Sequence, residues 1–215
     1  MTTDGNHRST SEVLLGVIRE HPGERMSLQN IIDGLAERSF GFLLLIFGLA
    51  SAVAPPGVAT LTAIPLLFFG LQMLGGYPTP WLPVSIARRD FNRADLEKTI
   101  MRGIPIMRFV EKLCRPRFEF LIGPLGERLL GLLIFILAVV IAAPGPLTNA
   151  PLGIAISFIS IAIINRDGLL VLFGVLASMV ALYLGGLGLY LVFTDVLPWL
   201  WEHAKEFSHR IFGSS

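Results

Sequence analysis

Runs of apolar residues alternate with charged segments along the chain, and three of the runs contain no charged residue at all. They extend from Ser39 to Gly76, from Leu129 to Ile164 and from Gly168 to Thr194. Each exceeds the roughly 18 apolar residues that mark a membrane segment. The first two are interrupted where a helix would be half complete, by Pro55, Pro56 and Gly57 and by Pro144, Gly145 and Pro146. Gly41 to Ala54 makes a helix of about 21 Å at about 1.5 Å per residue. That is short of the roughly 30 Å hydrocarbon core of a bilayer. The return arm Ala63–Gly76 is similar, as are Leu129–Ala143 and Pro151–Ile164. The pattern predicts two helical hairpins that turn inside the bilayer, followed by one complete crossing. A kinked pair of full spans per run is the competing reading. A turn at membrane depth is tolerated only where protein or a water-filled cavity covers its backbone.

The two interrupted runs resemble each other. "ERSFGFLLLIFGLASAVAPPG" begins at Glu37 and "ERLLGLLIFILAVVIAAPGP" at Glu127. Glu37-Arg38 aligns with Glu127-Arg128 and Gly41 with Gly131, and a Pro/Gly cluster follows in both. Aligned breakers over more than twenty residues predict an internal duplication. Paired broken helices from repeats are an arrangement that transporters use.

The expected fold is therefore an all-α integral membrane protein with two duplicated re-entrant hairpins, a C-terminal transmembrane helix and interfacial amphipathic helices. A polar cytoplasmic N-terminus would cover residues 1–26 and a single membrane domain residues 27–194. Within that domain lie a hairpin repeat (37–76), a basic connector (77–126), a second repeat (127–164) and the crossing helix (168–194). An amphipathic tail covers 195–215. In "MSLQNIIDGLAERSF", Met26, Leu28, Ile31, Ile32, Leu35 and Phe40 share a helical face. In the connector, helices are expected from about Asn92 to Arg102 and from Pro105 to Pro116, basic and suited to an interface with anionic lipid. "YPTPWLP", residues 77–83, reads as an interfacial turn. Ala177, Ala181 and Gly185 form a small-residue stripe, which predicts a homodimer or a larger complex.

Composition agrees: 53% of residues are hydrophobic, 15% are charged and the mean hydropathy is +0.68. The net charge of +1 gives no reason to expect a nucleic-acid partner. Basic residues stay on the cytoplasmic side. The hairpin topology leaves only Lys205 and Arg210 of the 17 Lys and Arg residues outside. The N-terminus and connector are then cytoplasmic and the location is a bacterial inner membrane. The lone Cys114 excludes an intramolecular disulfide.

Candidate chemistry is sparse. Thr60 and Thr62 follow the first break, and Thr148 and Asn149 the second. They either cap the returning helices or help free helix-terminal amides receive an anion. Arg38 and Arg128 stand with Glu37 and Glu127 at the hairpin entrances. They read as phosphate ligands or as interfacial anchors. No catalytic triad, metal-ligand spacing or phosphate-cradling loop appears, so neither an enzyme nor a metal or organic cofactor is expected.

These features resemble the bacterial exopolysaccharide synthesis protein ExoD family. The resemblance rests on "RSFGFLLLIFGLASAVAPPG", "AIPLLFFGLQML", "PWLP" followed by "ARR", "GPLGERLLGLL" and "NRDGLLVLFG". It spans about Ser27 to Val192 and implies an inner-membrane protein of exopolysaccharide production, without implying a reaction. Joined to the features above, it predicts binding or translocation of an anionic lipid such as a polyprenyl-phosphate carrier. The alternative is a non-transporting accessory or regulatory subunit of the polysaccharide assembly or export machinery.

Overall fold

The structure is a computed structural model that describes residues 25–35, 38–55, 57–83, 90–92, 119–143 and 149–196, with isolated positions elsewhere. Six α-helices dominate these residues: α1 (Leu28–Leu35), α2 (Ser39–Val53), α3 (Val58–Leu74), α4 (Pro124–Ala142), α5 (Asn149–Asn165) and α6 (Gly168–Leu191). A two-stranded antiparallel ribbon joins β1 (Arg25–Ser27) to β2 (Asp90–Asn92), with Met26 opposite Phe91. Met26 therefore lies in a strand rather than on the helical face its sequence suggested. The connector helices expected after Asn92, along with Glu37, Pro56, Pro144, Gly145, Pro146 and Thr148, lie outside the described residues.

Local chemistry explains the boundaries. Ser27 Oγ accepts the Asn30 amide at 3.3 Å and caps α1. Ser39 donates to the Ile32 carbonyl at 2.7 Å and ties the start of α2 back to α1. Helices α2 and α4 stop by one device: Ala54 and Ala143 adopt extended conformations, with ψ 138° and 134°. Each precedes a proline, which disfavours helical geometry in the residue before it. Gly57, at φ +90°, then reverses the chain into α3. Pro124 occupies the first turn of α4, where its missing N–H costs nothing. This start makes α4 19 residues long, longer than the arm expected from Leu129. Asp167 caps α6 by accepting the Leu169 and Leu170 amides.

The helices interlock. Helix α2 packs chiefly on α5 and α3 on α4, so each hairpin arm meets the other hairpin more closely than its own partner arm. Helix α6 lies along α5. Glycines set the spacing: a Cβ at Gly153 would lie 2.5 Å from Gly48 O and 2.6 Å from Ala52 N. A Cβ at Gly41 would meet Ser160 O and Ile164 N, and one at Gly131 would meet Gly70 O and Leu74 N. These two contact sets repeat with an offset of ninety positions (41 and 131, 70 and 160, 74 and 164). The ends of α3 and α5 repeat with the same offset. Gly76 and Arg166 both have positive φ, and each closes a Schellman motif. In α3 the amides of Gly76 and Tyr77 donate to Met73 and Gln72; in α5 those of Arg166 and Asp167 donate to Ile163 and Ala162.

The small-residue stripe of α6 is used inside the chain. Gly174, Ser178, Ala181 and Gly185 are buried, with Gly174 against Ile159 and Gly185 against Val140 and Leu152. Ala177 is only half-buried. The homodimer expected from this stripe thus loses its basis. Outer faces remain apolar and exposed, among them Leu61, Ile64 and Leu71 of α3 and Phe173, Leu176, Met179 and Tyr183 of α6. Helices α4 and α6 are long and apolar enough to cross a membrane, which is compatible with a membrane location.

Gly153→Val should lower the unfolding free energy by about 1–3 kcal/mol through overpacking at the α2–α5 seam. Gly186→Ala, where nothing lies within 4 Å of the added Cβ, should be neutral or stabilising by up to about 1 kcal/mol. Denaturation of the purified protein in detergent checks both.

Candidate functional site

Antiparallel pairing of α2 with α5, and of α3 with α4, brings both hairpin entrances to one end of the bundle and both turns to the other. At the entrance end lies a cavity of about 330 Å³. Phe40, Met73, Ile122 and Ile163 give it an apolar lining, and Tyr77, Glu127 and Arg166 supply polar groups. Its polar groups come from three separate chain segments. Tyr77 follows the end of α3, Glu127 stands in the first turn of α4 and Arg166 links α5 to α6. The loop after Tyr77 is held by Gln72, which accepts the Trp81 amide at 2.7 Å and donates to the Trp81 carbonyl at 3.0 Å.

Glu127 is half-buried and forms no ion pair with any described residue. Arg166 is exposed at φ +50°. A left-handed conformation in a residue bearing a Cβ costs roughly 1–2 kcal/mol, and such outliers concentrate at functional sites. At the equivalent turn Gly76 adopts φ +77° without that cost. Arg128 reaches over this glycine: a Cβ there would lie 2.8 Å from Nη2 and 2.9 Å from Nε. The guanidinium therefore sits at the C-terminal end of α3, where a cation complements the helix dipole. Arg38 stands half-exposed immediately before α2.

The residues singled out from sequence fall at opposite ends. Glu127 lines the entrance cavity and Arg128 lies close by, whereas Thr60, Thr62 and Asn149 lie near the turns. Thr62 donates to the Ala59 carbonyl at 2.7 Å, and its Oγ1 lies 2.5 Å from Ser51 Oγ. Since Thr62 has spent its proton on Ala59, Ser51 is the donor across the hairpin. Asn149 is buried in the first turn of α5, and its Oδ1 has no hydrogen-bond partner. The sequence pattern marks Tyr77 only as part of an interfacial turn and does not mark Arg166 as a site residue. The available signal was the ninety-residue offset, which sets Arg166 opposite Gly76. Among the described residues, no three His, Cys, Asp or Glu side chains group as metal ligands.

The fold and site define a helical protein with two candidate membrane-spanning helices and an amphiphilic cavity at one end of the bundle. The family model for exopolysaccharide synthesis, ExoD, matches residues 10–187, and the chain belongs to this family. It is 33% identical over 172 residues to Protein ExoD of Rhizobium meliloti, covering 77% of this chain and 71% of that protein. It is also 25% identical over 164 residues to an uncharacterized Synechocystis protein, covering 75% and 77% of the two chains. No solved structure matches. The family is implicated in exopolysaccharide synthesis.

A double-mutant cycle of Ser51→Ala and Thr62→Val should give a coupling energy of about 0.6 kcal/mol, the usual scale for hydrogen bonds between membrane helices. Additive stability losses would mean that the two hydroxyls do not stabilise each other.

Proposed function

We propose that the chain is an inner-membrane protein of exopolysaccharide synthesis that binds an anionic lipid, such as a polyprenyl-phosphate carrier, at the hairpin entrances. The entrance cavity carries this reading: an apolar lining suits the first units of a lipid chain, while Arg166 at the mouth suits a phosphate. Arg38 and Arg128 add positive charge at the same end, although Arg128 also covers the last turn of α3. The N-terminus and connector face the cytoplasm, because the positive-inside rule keeps most of the basic residues there.

The hairpins are re-entrant. Helix α2 has 15 residues, about 22 Å, and exposed residues around its turn are apolar: Val53, Pro55, Val58 and Leu61. These side chains favour an apolar surrounding over water. The two hairpins arose by duplication, a reading supported by paired contacts and paired left-handed turns at a constant offset. Both enter from one side, so they form a parallel repeat about an axis along the membrane normal. In this architecture residues 27–194 make one membrane domain.

The alternative, a non-transporting accessory or regulatory subunit of the polysaccharide machinery, is favoured by one observation. The α2–α5 and α3–α4 seams are closed to within backbone contact at their glycines. Of the polar residues near the turns, Thr62 then joins α3 to α2 through Ser51.

Liposomes carrying the purified protein and fluorescent polyprenyl phosphate test the proposal. Saturable binding should weaken about ten-fold or more in Arg38→Ala/Arg128→Ala, the scale of a lost charge-assisted hydrogen bond. Transbilayer movement by the wild type would favour the carrier role. Absence of saturable binding would leave the accessory-subunit reading.

A further inference from the structure

The entrance cavity holds more than an anion site needs. A site built only for a phosphate gains nothing from a carboxyl group on its wall, because Glu127 would repel the ligand that Arg166 attracts. Yet Glu127 is half-buried there, without an ion-pair partner among the described residues. A partly desolvated carboxyl group is costly to leave without hydrogen-bond donors. The Tyr77 ring, 56% exposed, stands on the same cavity. Arg166 holds a left-handed conformation that its counterpart entrusts to Gly76. Arg166 keeps a side chain at that turn despite the backbone cost; it has a partner within the chain and lines the cavity as well.

We propose that this cavity recognises a glycosyl phosphate, the head of a lipid-linked sugar, in preference to the bare lipid phosphate. The inference rests on the lipid-binding reading above and specifies its ligand. Arg166 pairs with the phosphate, Glu127 accepts hydrogen bonds from sugar hydroxyls, and Tyr77 offers an apolar face to the ring. The apolar lining, with Phe40 and Met73, receives the start of the lipid chain. Selectivity follows from charge and donors together. A terminal phosphate monoester carries up to two negative charges and brings no hydroxyls to Glu127. A glycosyl phosphodiester carries one charge and several donors. Glu127 thus disfavours the unloaded carrier, a repulsive element of the kind that makes recognition specific.

Calorimetry on the full-length protein in detergent, with farnesyl phosphate, farnesyl-phosphoryl-glucose and glucose 1-phosphate as probes, tests this directly. The wild type should bind farnesyl-phosphoryl-glucose at least ten-fold tighter than farnesyl phosphate. Glu127→Gln should bring that ratio close to one. Tyr77→Ala, a second probe of the sugar contact, should weaken only the glycosylated lipid. Arg166→Gly, at a turn that glycine suits, should weaken both lipids ten-fold or more. Equal wild-type affinity for the two lipids would overturn the sugar preference and leave the anionic-lipid reading intact. Absence of binding by either lipid would overturn both. Glucose 1-phosphate binding as tightly as the farnesyl ester would overturn the lipid part of the proposal. Unchanged binding by Arg166→Gly would remove the arginine from the site.

Discussion

Close backbone approach between arms of different hairpins is the constraint on which the rest of the structure depends. Gly48 against Gly153, Gly41 against Ser160 and Gly70 against Gly131 let α2 settle on α5 and α3 on α4. In an apolar surrounding there is little hydrophobic drive for helices to associate, and packing at small residues supplies much of the attraction. Because the pairing crosses between hairpins, neither arm pair is complete alone. The same pairing brings Tyr77, Glu127 and Arg166 together, although long stretches of chain separate them. The cavity is a consequence of the interlock.

Much of this was legible in the residues. Uncharged runs marked the helices, and an Ala-Pro step ended α2 and α4 for the reason that any residue before proline resists helix. The aligned Gly41 and Gly131 anticipated contact geometry that repeats at a constant offset. The pairing of arms was not legible, since a pattern of small residues says that a neighbour comes close without saying which one. The stripe on α6 illustrates this. Ala177, Ala181 and Gly185 have the spacing of a dimer seam, yet Ala181 and Gly185 are buried within the chain. The cavity was hidden for a related reason. Tyr77 and Arg166 are ordinary residues of connecting turns until the fold places them beside Glu127. Met26 misled differently, because a three-residue strand is too short to announce a period of two.

The two ends of the bundle divide the labour. At the turns, polar groups are mostly committed locally, as Thr62 is to Ala59 and Ser51. At the entrances, Arg128 is given to a helix end, while Glu127 and Arg166 line the open space. Polar groups thus line the cavity at the entrance end, while the exposed large side chains around the first turn are apolar. That distribution suits a protein that handles an amphiphile from one face of a membrane. It also accounts for broken helices with no transport residue at their break.

In the proposed topology both hairpins enter from the side of the basic segments and end within the bilayer. Single cysteines at Val53 and Val58, in a Cys114→Ser background, test it by labelling in intact cells and in sealed inverted vesicles with a membrane-impermeant maleimide. Neither tip position should be labelled from either side, while a cysteine at Asp33 should be labelled only in the inverted vesicles. Labelling of both tip positions from the outside of intact cells, as readily as a cysteine at His203, would contradict it and make the hairpins pairs of full spans.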